Sequence, residues 1–326
     1  MTLQTRRKPF RVLVHGLAYF CKRVPQRFAD EDWDIRFHQG QSLGSALALA
    51  KDLFRADLIF IWGARISMGK VLRLARLLRK EKIILFWAGS DVLAAQMEFA
   101  EGKMDPWVAG KTHWAIAPWL TEEIRGLGLS CEQVPLFWLP TVPEPVTLPA
   151  QFCVGTYMPA VSRKELYGLD RILEAARRLP HIPFELIGLI QGEIKDPPRN
   201  LRILGRSNDM PAFYRRSTVY WRPVSHDGLS FNALEALAHG RHVIWSYPFP
   251  HCIRTSNVET DVAELQRLFC LHQANNLPLN RAGMDFMAER FAPERIKREF
   301  LGRWREMIES RKPSFQSVPN IRNEGS

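Results

Sequence analysis

Short uninterrupted apolar runs alternate with amphipathic stretches of helical period, first in one half of the chain and then again in the other. In the first half, residues 10–15, 57–62, 82–87 and 114–117 read as buried strands, and residues 42–54, 68–80 and 118–127 as the helices between them. Strands that are apolar on both faces need cover on both faces, and intervening helices supply it. That pattern specifies an α/β fold with a parallel sheet. Then Pro135, Pro140, Pro143, Pro145 and Pro149 crowd into one short stretch. Each proline lacks a donor and fixes φ, so neither a regular helix nor a central strand fits there. The stretch reads as an interdomain linker.

After it the alternation restarts. Strands are expected at 152–156, 183–188, 201–204, 219–224 and 242–247, and helices at 168–178, 209–216 and 229–239. A last helix at 293–308 carries Ile296, Phe300, Trp304 and Ile308 at helical spacing. The expected organisation is two Rossmann-like βαβ domains, 1–140 and 152–290, with a linker at 141–151. A C-terminal helix at 291–310 should pack back toward the first domain, and 311–326, without periodicity, reads as a mobile tail. Ligands of open α/β sheets bind beyond the carboxyl ends of the strands, so two such domains are expected to face a cleft.

With 326 residues the chain is long enough for two cores. No apolar run reaches the roughly 18–20 residues of a membrane span, and the N-terminal apolar segment is too short for a secretory signal. A cytoplasmic protein is expected. The five cysteines are scattered, odd in number and never in a C-x-x-C pair, which fits reduced thiols and gives no support to zinc or disulfides. Asp30, Asp32 and Asp34 have D-x-D spacing but read as a solvated acidic turn, and His239 with His242 lacks a nearby third ligand. No metal is expected. The net charge of +11 favours an anionic partner without choosing one. No nucleic-acid module is recognisable, and nucleic acid is not an expected partner.

The most informative stretch is VYWRPVSHDGLSFNALEALAHGRHVIWS, residues 219–246. A strand ends near Val224, a polar loop follows, and a helix begins around Leu229 and Ser230. The exposed amides at such a helix start bind phosphate well, and Gly228 allows close approach. Asp227 and Glu235 bracket this helix start. They read either as ligand contacts or as a capping aspartate and a glutamate bonded to nearby backbone.

DGLSFNALEALAHG resembles the donor motif of family-four retaining glycosyltransferases, in which two acidic residues separated by seven positions flank a glycine loop and helix. The resemblance implies the GT-B architecture and a nucleotide-sugar donor, of UDP, GDP or a similar base, with no further cofactor. Glu235 then corresponds to the ribose-binding glutamate, and Asp227 to an acid, usually glutamate, near the transferred sugar. Gly228, Leu229 and Ser230 would lie against the diphosphate. Upstream, CVGTYMPAVSRKELYGLDRILEAARRLP resembles the family's first donor-domain strand, loop and helix, where two basic residues hold the diphosphate. Arg163 and Lys164 are the candidates here, against a solvated basic turn, and Tyr167 takes the usual lysine position. LRILGRSNDMPAFYRRSTVYW resembles the segment beside the nucleotide base, which nominates Gly205, Arg206 and Met210.

In the first half, Gly16 follows a strand directly, with His15 beside it, and ILFWAGSDVL ends a strand at Gly89, Ser90 and Asp91. Ser90 or Asp91 would cap the next helix. Related transferases carry a similar step, often preceded by a histidine where this chain has Phe86 and Trp87. Asp91, His15 and Gly16 are the acceptor-side candidates. Lys70, Arg73, Arg76, Arg79 and Lys80 make 70–82 a basic amphipathic segment, read either as a solvated outer helix or as a contact for anionic membrane. The resemblance implies sugar transfer to a glycan or lipid-linked acceptor, with retention, in cell-surface polysaccharide or glycolipid synthesis. The alternative is a non-catalytic subunit of the same fold that supports a partner transferase or binds glycan.

Overall fold

The computed structural model describes residues 8–38, 43–138, 147–207 and 209–310. Residues 139–146 of the proline-rich stretch and the expected tail at 311–326 lie outside the described residues. The chain divides into two compact units, one within Met1–Leu136 and Ile296–Ser326, the other within Phe137–Arg295.

The first unit runs β1 (Phe10–Gly16), α1 (Ala18–Cys21), α2 (Arg23–Phe28), β2 (Trp33–Phe37), α3 (Leu43–Arg55), β3 (Leu58–Trp62) and α4 (Lys70–Leu77). It continues with β4 (Ile83–Trp87), α5 (Ser90–Ala100), α6 (Pro106–Ala109), β5 (Thr112–Ala115), α7 (Pro118–Gly126) and β6 (Cys131–Gln133). Its six strands form one sheet in the order β2-β1-β3-β4-β5-β6, every pair parallel. All five residues of β3 and of β4 are buried, as strands covered on both faces must be.

The second unit runs β7 (Val154–Tyr157), a 3-10 turn (Val161–Arg163), α8 (Leu169–Arg178), β8 (Phe184–Ile187), β9 (Leu201–Gly205), α9 (Met210–Arg216) and β10 (Val219–Arg222). Then come α10 (Phe231–Ala238), β11 (His242–Trp245), β12 (Cys252–Arg254), α11 (Val258–Gln273) and α12 (Arg281–Arg290). These six strands form a second parallel sheet, β12-β11-β10-β7-β8-β9. The doubly wound α/β architecture expected from the alternation is therefore present twice.

The last helix, α13 (Pro293–Glu309), packs on the first sheet as expected. Phe300 stacks on Phe28 with ring centroids 5.5 Å apart and meets Phe60 edge-on at 5.6 Å. Trp304 lies against Phe60 and Trp33, at 5.4 and 6.0 Å. Lys297 and Arg305 of this helix pair with Asp30 and Asp32 at 2.9 and 3.5 Å. The D-x-D run thus meets a cationic helix face.

Most element ends shift by one or two residues from the sequence reading, and three shifts have a clear local reason. The strand expected at 114–117 lies at Thr112–Ala115, because His113 is buried despite its polarity. The Trp87 indole donates to His113 Nδ1 at 3.2 Å, and Nε2 faces the Ala109 carbonyl at 3.2 Å. The helix expected over 68–80 ends at Leu77. Arg79 turns to a φ of +53°, and Lys80 donates to the carbonyls of Phe54 and Ala56 at 2.7 and 2.8 Å. The helix expected from 229 starts at Phe231, with Ser230 as its cap.

Burial pushes the His113 ring down to about 4. Its neutral form therefore contributes stability that is complete above the ordinary histidine range and is lost as pH falls from about 6.5 toward 4. Between about pH 7 and pH 4.5, thermal unfolding should show the wild type losing roughly 2–3 kcal/mol more than His113→Gln, which has no ring to titrate. Equal losses in both proteins would contradict the buried neutral ring.

Candidate functional site

In a parallel sheet, the crevice for ligands forms where successive crossovers leave in opposite directions. In the second sheet that point lies between β7 and β10. The chain runs from β7 outward through β8 to β9, returns to β10 on the other side of β7, and continues away through β11 and β12. The loops leaving β7 and β10 carry most of the residues singled out in this half.

Those two loops are bonded to each other. The Ser225 N–H donates to the Leu166 carbonyl at 2.9 Å, and its hydroxyl to that of Glu165 at 3.3 Å. Gly168, at the start of α8, has a φ of +67°, and a Cβ there would stand 2.0 Å from the Pro223 carbonyl oxygen. Only glycine combines that backbone with that approach. The contact brings the segment bearing Arg163, Lys164 and Tyr167 against the segment that leads into α10.

Arg163 and Lys164 are exposed at the end of the 3-10 turn. Among the described residues neither pairs with a carboxylate, though the Arg163 guanidinium lies 5.8 Å from the Tyr167 ring. Opposite them, Gly228, Leu229 and Ser230 are buried at the start of α10, where the Ser230 hydroxyl accepts from the Ala233 N–H at 3.3 Å. Among the described residues no acceptor takes the main-chain N–H of Gly228 or Leu229. Two exposed cations and a helix N-terminus are thus presented by adjoining loops, an arrangement that favours a polyanion.

Asp227 does not cap α10; Ser230 does. The Asp227 carboxylate instead receives both arms of the Arg222 guanidinium, at 2.5 and 2.7 Å, and the Trp245 indole N–H at 3.1 Å. Arg222 and Asp227 are both buried, and the guanidinium also lies 5.1 Å from the Tyr167 ring. Burial alone would lower the Arg222 pKa, but the charge and hydrogen bonds of Asp227 raise it and keep the guanidinium charged. Arg222 and Trp245 were not among the expected site residues. The signal for Arg222 was a cation ending an otherwise apolar strand, affordable only with a buried partner.

Glu235 lies within α10, and its carboxylate accepts from the Tyr214 hydroxyl at 2.9 Å. Burial, and then the Glu235 charge, push the Tyr214 phenol well up, so it stays protonated and donates. Because Tyr214 sits on α9, this bond ties α9, which Met210 begins, to the second acid of the motif. Gly205 ends β9 and accepts from the Gly188 N–H at 2.8 Å, at the same carboxyl edge, with Arg206 exposed after it. Arg163, Lys164, Asp227, Gly228, Leu229, Ser230 and Glu235 are therefore gathered by two adjoining loops and one helix. Gly205 and Arg206 lie two strands farther along, beyond β8.

His15, Gly16 and Asp91 belong to the first unit. There the direction of winding changes between β1 and β3, and Gly16 ends β1 at that point. Its φ is +131°, and a Cβ would stand 1.8 Å from the Trp62 carbonyl oxygen. Burial lowers the pKa of His15. Neither Ser90 nor Asp91 caps α5, contrary to expectation. Asp91 folds back instead, accepting from the Ala88 N–H at 3.0 and 3.1 Å and from the Gly89 N–H at 2.6 Å. Desolvation raises its pKa, against the pull of those amides.

His239 Nδ1 and His242 Nε2 face the carbonyls of Glu235 and Pro278, each at 2.8 Å. Among the described residues, no group of three or more His, Cys, Asp or Glu side chains is placed to hold a metal ion. No helix among them is long and apolar enough to cross a membrane.

The architecture matches solved glycosyltransferase structures of the GT-B fold. HepE from Anabaena, solved with UDP and glucose, superimposes with a TM-score of 0.65 at 12% identity, over 91% of this chain and 99% of HepE. Sucrose-phosphate synthase from Thermosynechococcus elongatus gives 0.64 at 12% identity, over 92% of this chain and 99% of the synthase. The pneumococcal O-GlcNAc transferase GtfA, solved with UDP and GlcNAc, gives 0.57 at 14% identity. That match covers 82% of this chain and 60% of GtfA, so the chain spans about three fifths of that protein's length. No protein-family model and no curated protein sequence matches the chain.

Proposed function

We propose that this protein is a glycosyltransferase that moves a sugar, with retention, from a nucleoside-diphosphate sugar to a glycan or lipid-linked acceptor. The observation that carries the reading is the bonded pair of loops at the β7/β10 switch point. They present Arg163, Lys164 and the start of α10 together, beside both acids of the motif. The fold shared with structures solved with UDP supports the same reading.

In this proposal the amides of Gly228 and Leu229, with Arg163 and Lys164, stabilise the negative charge that develops on the departing diphosphate. Glu235 accepts hydrogen bonds from the ribose hydroxyls while Tyr214 fixes its orientation. Asp227, held by Arg222 and Trp245, meets the donor sugar from one fixed direction. Gly205, Arg206 and Met210 flank the base. Asp91, His15 and Gly16 belong to the acceptor side. Use in cell-surface polysaccharide or glycolipid synthesis would place the protein in the cytoplasm, peripherally at the inner face of the membrane.

The test is a thermal-shift screen against UDP-, GDP-, ADP- and TDP-sugars, followed by detection of released nucleoside diphosphate. A donor at about a hundred times its Kd adds roughly 2.7 kcal/mol, or roughly 5–10 °C in a domain of this size. One base family should produce such a shift and be turned over. Shifts without any turnover would favour a non-catalytic subunit, and the absence of any shift would refute the donor site.

A further inference from the structure

In the first unit, α3 and α4 expose large apolar side chains to solvent. Leu47 is 72% exposed, Phe54 67% and Leu77 78%, the three highest values among the described large apolar residues. They form one district. Leu47 and Phe54 stand seven residues apart on α3, on one face of that helix. The Lys80 ammonium, bonded to the carbonyls of Phe54 and Ala56, pins the chain just after α4, which ends at Leu77, to the end of α3.

The cations of this district follow the same stripes. Lys51 lies four residues from Leu47, and Arg55 one turn further on. Arg73 lies four residues before Leu77. All three are exposed, and among the described residues none pairs with a carboxylate. The one acid of α3, Asp52, is turned away and engaged by His38 and Arg36, at 2.6 and 3.6 Å. Lys80, one of the five cations expected to make 70–82 basic, spends its ammonium on main-chain carbonyls, as does Lys82 at the end of that segment. Arg76 faces Asp105 at 3.9 Å.

We infer that the α3–α4 face is a docking surface for an anionic lipid bilayer, with Leu47, Phe54 and Leu77 entering the headgroup region and Lys51, Arg55 and Arg73 meeting lipid phosphates. Separate apolar side chains, each flanked by cations, suit a fluid interface that shapes itself around them. An acidic protein partner would need a complementary groove instead. The inference rests on the membrane placement of the proposed function but not on its donor site, since no residue of the second unit takes part in it, so the two can fail separately.

Sedimentation with phosphatidylserine-containing vesicles tests it, against vesicles of phosphatidylcholine alone. The full chain should bind the anionic vesicles at low salt and release as ionic strength rises. Each cation near such a surface is worth about fivefold in partitioning, so Lys51→Glu, Arg55→Glu and Arg73→Glu together should weaken binding by at least about a hundredfold. Leu47→Ser, Phe54→Ser and Leu77→Ser together should weaken it and make the remainder wholly salt-labile. These positions are exposed, so both triple variants should melt with the wild type and keep its response to nucleotide. Failure of the wild type to bind anionic vesicles, or unchanged binding by the charge-reversed protein, would overturn the inference.

Discussion

Replacing Arg222 with leucine is expected to destabilise the second unit by about 3–5 kcal/mol, because it leaves the Asp227 charge buried without its counter-ion. Asp227 keeps the Trp245 indole at 3.1 Å, but a neutral donor does not replace a bidentate guanidinium. The loss is large against a typical stability of about 5–15 kcal/mol. At about 2–4 °C per kcal/mol it corresponds to a fall in melting temperature of roughly 6–20 °C. Adding Asp227→Leu should recover most of that loss, since an apolar pair of similar volume avoids desolvating either charge. Thermal and denaturant melts of the single and double variants would check both statements. A single variant within about 1 kcal/mol of wild type would mean that the pair is not a buried ion pair in solution, since that is the range of exposed pairs.

The same pair shows what the sequence made legible. Strand, loop and helix order around 219–246 followed from apolar runs and a glycine loop, and the structure keeps that order with small shifts at the ends. Which atoms Asp227 would touch did not follow. Its partners lie five and eighteen residues away, on two neighbouring strands, and pattern reading weighed only ligand contact against capping. The cap turned out to be Ser230.

Polar residues inside the core hid other features. β5 was displaced in the sequence reading because Thr112 and His113 interrupt its apolar run, yet His113 is satisfied by Trp87 and Ala109. α11 was not among the expected helices, and one of its fully buried positions is an acid. Asp261 is fully buried and takes bonds from Arg171 at 2.9 and 2.6 Å, Thr255 at 2.6 Å and Trp221 at 3.2 Å. Val258, Val262, Leu265, Leu268 and Phe269 pack beside it at helical spacing, a period that was open to reading, whereas the three partners that satisfy the buried acid were not. Asp91 likewise turned out to brace the Ala88 and Gly89 amides, a role that spacing alone does not distinguish from capping.

If Glu235 holds the donor ribose, Glu235→Gln should weaken nucleotide binding while the fold stays intact, because the amide fills the same space. Losing a charge-assisted hydrogen bond costs about 1.5–3 kcal/mol, or roughly tenfold to more than a hundredfold in affinity. Tyr214 gives the control. Tyr214→Phe removes only the donor that orients Glu235, so its effect on affinity should be smaller than that of Glu235→Gln. A purely structural Glu235 would instead lower the melting temperature of both variants without any selective effect on nucleotide. Isothermal titration with the nucleoside diphosphate that stabilises the wild type, applied to the wild type and to folded Glu235→Gln, measures this directly. The donor-site account predicts a Kd at least about tenfold weaker in the variant; a Kd equal to that of the wild type would contradict it.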